Sequence, residues 1–144
     1  MIVVDTNILI HAADRHSEFH KPCQQRINDC RLGKTPWYLT WGICYEFLRV
    51  ITHPAILAKP WTLTSAWRFL ETILGSPNCG LLLPTSRHAT VLAGLITELP
   101  YLRGNILHDV HTAALMREHG IRNVYTRDSD FSRFPFLNAI DPVA

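Results

Sequence analysis

The chain lacks the features that mark several large functional classes. No stretch approaches the roughly 18 uninterrupted apolar residues of a membrane-spanning helix, and no basic region precedes an apolar run at the N-terminus, so neither a membrane span nor a secretory leader is expected. The four cysteines, Cys23, Cys30, Cys44 and Cys79, show no Cys-x-x-Cys spacing. That speaks against a zinc site or disulfide frame, and free thiols suit a reducing, cytoplasmic compartment. Gly-x-Gly-x-x-Gly, P-loop and Gly-x-Ser-x-Gly motifs are missing, which removes support for dinucleotide redox chemistry, P-loop nucleotide hydrolysis and acyl transfer. Lysine is scarce, since eleven of the fourteen basic residues are arginine, the side chain that grips carboxylate or phosphate bidentately. A net charge of +2 is nevertheless too small to argue for a nucleic-acid partner by itself.

What is present is enough hydrophobic residue, 47% of 144, to bury a real core within one domain spanning residues 1–144. No repeat, low-complexity segment or linker interrupts it. The organising stretch is Met1-Ile2-Val3-Val4-Asp5-Thr6-Asn7. Its unbroken apolar run reads as a strand buried on both faces, as in a parallel sheet, and an acid follows at once. In open α/β sheets ligands bind at the carboxyl ends of strands, so Asp5 is a candidate for chemistry. It is equally a candidate N-cap for a helix starting near Ile8.

Helices are then expected over Ile8 to Ala13 and Phe19 to Leu32, the second closed by Gly33. A strand follows at Pro36 to Thr40 and a helix from Gly42 to Ile51, stopping before His53-Pro54. Leu63 to Leu74 reads as a helix, Gly80 to Pro84 as a strand, and Thr85 or Ser86 as the cap of a helix running to about Leu99. A further helix follows Gly104-Asn105 and reaches His119 before Gly120. Asn123 to Thr126 is a strand, Arg127 to Phe131 a turn, and Phe136 to Ile140 a short fifth strand. Strands alternating with helices indicate an α/β fold with a parallel sheet. Trp37, Trp41, Trp61 and Trp67 read as core or interface anchors, because base-stacking platforms need a basic groove around them.

At about 100° per residue, Ile43, Cys44, Phe47, Val50 and Ile51 form one stripe, with Glu46 about 100° from its centre. A surface pair with Arg49 is the plain alternative for Glu46. On the later helix the stripe is Ile106, Leu107, Val110, Ala113 and Ala114, and Asp109 stands on the corresponding flank. His108 and His111 point elsewhere, which argues against a histidine-based zinc site. Asp5 and Asp128 follow strands, and all strand ends of a parallel sheet face one edge, where the two helix acids can join them. Carboxylates about 4 Å apart repel by some 1 to 4 kcal/mol per pair. Protons or a cation must relieve that, and an oxygen-only set points to a hard ion, Mg²⁺ or Mn²⁺. Such an ion activates water and stabilises charge on a phosphoryl oxygen, which is phosphodiester hydrolysis.

Asp5-Thr6-Asn7, Glu46 with Phe47-Leu48-Arg49-Val50, Gly104-Asn105 ahead of His108-Asp109, and Thr126-Arg127-Asp128-Ser129-Asp130-Phe131 occur in the order of a PIN-domain ribonuclease. Together they resemble a VapC-type toxin of a bacterial toxin-antitoxin pair over nearly the whole chain. The resemblance implies a parallel sheet of four to five strands flanked by helices, and an acid quartet of Asp5, Glu46, Asp109 and Asp128. It makes Asp5 and Asp109 the most direct Mg²⁺ ligands, with Asp128 beside them. Asn7 and Thr126 would position carboxylates or substrate. Asp130 is either a water-mediated or second-metal contributor or a turn residue. An RNA substrate, a cognate antitoxin whose C-terminal segment fills the groove, and a homodimer are further implications. Two rivals remain: a haloacid-dehalogenase-like phosphatase, which wants an Asp where Asn7 stands, and a non-catalytic module that binds RNA or an antitoxin.

Overall fold

The computed structural model describes all of residues 1–144. Five three-residue strands form one parallel sheet: β1 (Ile2–Val4), β2 (Trp37–Leu39), β3 (Cys79–Leu81), β4 (Asn123–Tyr125) and β5 (Asn138–Ile140), in the order β3-β2-β1-β4-β5. Six helices flank it: α1 (Thr6–Ala13), α2 (His20–Leu32), α3 (Trp41–Ile51), α4 (Leu63–Leu74), α5 (His88–Glu98) and α6 (Leu107–Glu118). The expected α/β architecture is therefore the observed one.

The strand order steps one way from β1 through β2 to β3, then returns across the sheet to β4 and β5. The reversal point lies between β1 and β4, the central pair. Right-handed crossovers send the helices of the two halves to opposite faces and leave a crevice beyond the carboxyl ends of that pair. Asp5 and Thr126 sit side by side there. Each still extends its ladder by one bond, Asp5 N–H donating to the Tyr125 carbonyl at 2.9 Å and Thr126 N–H to Ile140 at 3.0 Å.

Side chains set the helix starts. Asp5 accepts from Thr6 N–H, Thr40 from Ile43 N–H and Thr62 from Ser65 N–H, opening α1, α3 and α4 respectively. Thus α1 begins two residues earlier than the apolar pattern suggested. Thr85 holds Arg87 N–H at 3.1 Å in the approach to α5, whose first residue is His88. The third strand ends at Leu81 rather than Pro84, with one more ladder bond from Leu82 N–H to Leu39.

The core joins Val3, Val4, Leu39, Phe47, Leu70 and Val124 from sheet and helices. The stripe expected on α3 is inside, Ile43, Cys44, Phe47 and Ile51 being buried. On α6 the expectation needs correction: Leu107 is 51% exposed, whereas Thr112, Leu115, Met116 and Glu118 are buried with Val110, Ala113 and Ala114. That helix packs against both α5 and α3, so it has no single solvent face for periodicity to reveal. Trp37 is in the core and Trp61 packs edge-on against Phe69 at 5.7 Å, while Trp41 and Trp67 stay about two-fifths exposed.

Candidate active site

Asp5 serves as N-cap and as part of the cleft at once. One carboxylate oxygen accepts Thr6 N–H at 2.8 Å; the other accepts the Thr126 hydroxyl at 2.8 Å and the Asn7 amide at 3.1 Å. Asn7 also donates to Thr126 Oγ1 at 3.3 Å and accepts Arg127 N–H at 3.1 Å, stitching the start of α1 to the turn after β4. That turn is held from inside. Asp128 N–H donates to Thr126 Oγ1 at 2.9 Å, and Asp130 N–H to Asp128 Oδ1 at 2.9 Å.

Glu46, half-buried on α3, is not paired with Arg49. The Thr6 hydroxyl lies 3.3 Å from its Oε2 and 3.4 Å from the Ile43 carbonyl, so α1 and α3 share this one proton. Asp109 enters from the first turn of α6. Asp5, Glu46, Asp109 and Asp128 line a single cleft of about 240 Å³. Carboxylate oxygens of Asp109, Asp128 and Asp130 lie within 4.8 Å of one another, so Asp130 is both a turn residue and a member of the acidic cluster.

The site registers its own repulsion. Burial pushes the Asp5 carboxyl up to about 6 against the hydrogen bonds from Thr126 and Thr6, and the charges of Glu46 and Asp128 add to the rise. Asp109 goes up to about 8, first through burial and then through Asp5, Asp128, Glu46 and Asp130. No lysine or arginine lines the cleft. Arg127 turns away: its guanidinium lies 3.7 Å over the Phe19 ring. Clustered oxygen donors without a protein cation suit a hard divalent ion.

Every sequence-expected site residue is in or beside this cleft. His11 and Thr6 line it too and were not singled out from the sequence. The signal for His11 was available: it stands four residues after Asn7 on a helix that Asp5 starts, so both fall on one face. His111 is elsewhere, its ring 6.4 Å from that of His88.

Comparisons with known proteins identify the family. The PIN-domain family profile matches residues 2–137. Ribonuclease VapC48 of Mycobacterium tuberculosis is 30% identical over 138 residues, covering 96% of this chain and 94% of that protein. Ribonuclease VapC37 of the same organism is 32% identical over 144 residues, covering 100% and 99%. Among solved structures, VapBC2 from Rickettsia felis, bound to a DNA fragment from its promoter, superposes with a TM-score of 0.69 at 17% identity, over 97% of this chain and 98% of that one. The sarcin-ricin-loop-cleaving toxin VapC20 of M. tuberculosis gives 0.65 at 17% identity, over 92% and 94%. With the profile spanning nearly the whole sequence and relatives at 30% identity or more, the chain belongs to the PIN-domain family, alongside the VapC ribonucleases.

Proposed function

We propose that this protein is a Mg²⁺-dependent endoribonuclease that hydrolyses RNA phosphodiester bonds and acts as the toxin of a toxin-antitoxin pair. The observation that carries the reading is the convergence of Asp5, Glu46, Asp109 and Asp128 on one cleft lined by no lysine or arginine, in a chain aligned end to end with proteins named as VapC ribonucleases. Asp5, Asp109 and Asp128 would hold the ion, and Asp130 joins them because its carboxylate converges on Asp109 and Asp128. Mg²⁺, or Mn²⁺ in its place, supplies Lewis acidity toward a phosphoryl oxygen and a more acidic bound water.

The chain's own residues do the rest. Thr126 and Asn7 hold the Asp5 carboxylate by two donated hydrogen bonds, which fixes the face it offers to a ligand. Thr6 holds Glu46 at the wall, where it serves as an acceptor for a proton from attacking water. Residues 1–144 act as one nuclease unit in the cytoplasm, where the RNA is. No helix is long and apolar enough to cross a membrane. The acid cleft is also where a cognate antitoxin would dock, with a basic side chain answering the carboxylates. A second copy of the chain would cover apolar surface such as Trp41 and Tyr45, exposed on α3.

Purified protein is expected to cut RNA with Mg²⁺ and to stop in EDTA. Asp5→Asn is expected to lose cleavage by at least about a hundredfold while keeping its circular-dichroism spectrum. Full cutting by folded Asp5→Asn rejects the assigned chemistry.

A further inference from the structure

A cleft built of carboxylates repels the polyanion it is read as cutting, so a group that grips phosphate must come from somewhere. Besides its acids and two apolar residues, the cleft is lined by Thr6, Asn7 and His11. The first two are spent. The Thr6 hydroxyl is taken by Glu46 and the Ile43 carbonyl, and Asn7 gives its amide N–H groups to Asp5 and Thr126 and its oxygen to Arg127 N–H.

His11 has a nitrogen to spare. Its Nδ1 lies 2.7 Å from Ser17 Oγ, and Ser17 Oγ already accepts Phe19 N–H at 3.1 Å. The serine hydroxyl is free to give its own proton to Nδ1, and in that arrangement the ring carries its proton on Nε2. No protein group bonds Nε2. The ring is braced edge-on against Phe19, centroids 5.2 Å apart and planes at 82°, and the His11 carbonyl accepts from the His20 ring at 3.0 Å.

Burial and the neighbouring Arg127 lower the ring's pKa from the usual histidine value and so favour its neutral form, against the opposite pull of Asp14 and Glu18. Neutrality matters here. A lysine in the same place would pair with the carboxylates and compete with the cation, whereas an imidazole N–H offers a directed donor with no charge for the acids to capture.

We propose that His11 is a substrate-contacting residue whose Nε2–H donates to a non-bridging phosphate oxygen of RNA lying across the acidic cleft, with Ser17 as the positioning residue that sets its tautomer. The inference rests on the ribonuclease reading, and the test separates the two. His11→Phe keeps a ring against Phe19 but has no N–H; His11→Gln restores an N–H on a flexible stem. Cleavage is followed on end-labelled bacterial RNA, and affinity by fluorescence polarisation of labelled single-stranded RNA with Ca²⁺ replacing Mg²⁺. Losing a hydrogen bond to a charged acceptor is expected to raise KM in His11→Phe about tenfold, with kcat within about twofold. RNA affinity falls in parallel, Mn²⁺ affinity is unchanged by calorimetry, and His11→Gln recovers most of the loss. Unaltered KM and RNA affinity in His11→Phe overturns the proposal, as does a loss that follows Mn²⁺ affinity or melting temperature. If the wild-type protein cuts no RNA, the ribonuclease reading falls, and polarisation still decides whether His11 contacts nucleic acid.

Discussion

Asp109 concentrates the tension of the site. Its half-buried carboxyl has lost part of its water and faces Asp5, Asp128, Glu46 and Asp130, so without a cation it keeps its proton well into the neutral range. The unfolded chain, with an ordinary carboxyl near 3.8, has by then released that proton. The folded state therefore binds more protons between about 3.8 and about 8, and its stability falls as pH rises through that window. Asp5 contributes the same sign up to about 6. Asp109→Asn, which cannot ionise, is expected to melt at the same or a higher temperature than the wild type in EDTA at pH 8, and to lose much of the decline in Tm between pH 5 and pH 8. Thermal melts across that range check it; a large drop in Tm would make Asp109 a structural residue. Glu118 shows the opposite outcome for a buried acid on the same helix. Burial raises its carboxyl, but hydrogen bonds from Thr85 and His88 more than offset that and hold it down at about 2. A partnered acid stays ionised; the unpartnered Asp109 does not.

The elements aim these residues through a few close approaches. At the carboxyl edge α3 comes so near α6 that a Cβ on Gly42 would stand 2.9 Å from His111 Nδ1. The helix bearing Glu46 and the helix bearing Asp109 are thereby kept at one spacing. At its far end α6 is anchored to the approach to α5 by Glu118, which accepts the Thr85 N–H and holds His88 Nδ1 at 2.7 Å. Gly42→Ala is expected to cost about 1 to 3 kcal/mol through overpacking, and Gly42→Ala with His111→Ala to recover most of it. Chemical denaturation of the two variants measures this; equal stability of Gly42→Ala and wild type would mean that the helices part freely. Little of this was legible beforehand. Periodicity recovered the buried face of α3, which has a solvent side. It misassigned α6, where packing on two sides buries Met116 and Thr112 and leaves Leu107 outside. A buried Glu118 is invisible to any pattern, because an acid at a helix end reads as solvated until its partners from another element are known.

At the scale of the molecule the sequence was most informative where chain direction and chemistry coincide. Asp5 follows the first strand and Asp128 the fourth, and a parallel sheet brings all such positions to one edge whatever the lateral strand order. The reversal between β1 and β4 puts those two strands side by side, which the sequence did not specify. Periodicity showed Glu46 and Asp109 only as acids flanking apolar stripes, and the family resemblance joined them to Asp5 and Asp128; the packing of α3 and α6 is what brings them to one cleft. Thr6 was missed because α1 was begun at Ile8, past the residue that caps it; His11 lay within the expected helix, but with Asn7 left outside it nothing put the two on one face. The central claim, that distant carboxylates converge to bind a divalent ion, predicts a linked proton release. Mn²⁺ entering the cleft must displace the proton held by Asp109. Isothermal titration of Mn²⁺ at pH 7 in two buffers of different ionisation enthalpy measures this directly. The expected result is saturable binding with release of about one proton per ion, both lost in Asp109→Asn. Absent binding, or binding without proton release and unchanged in Asp109→Asn, would contradict it.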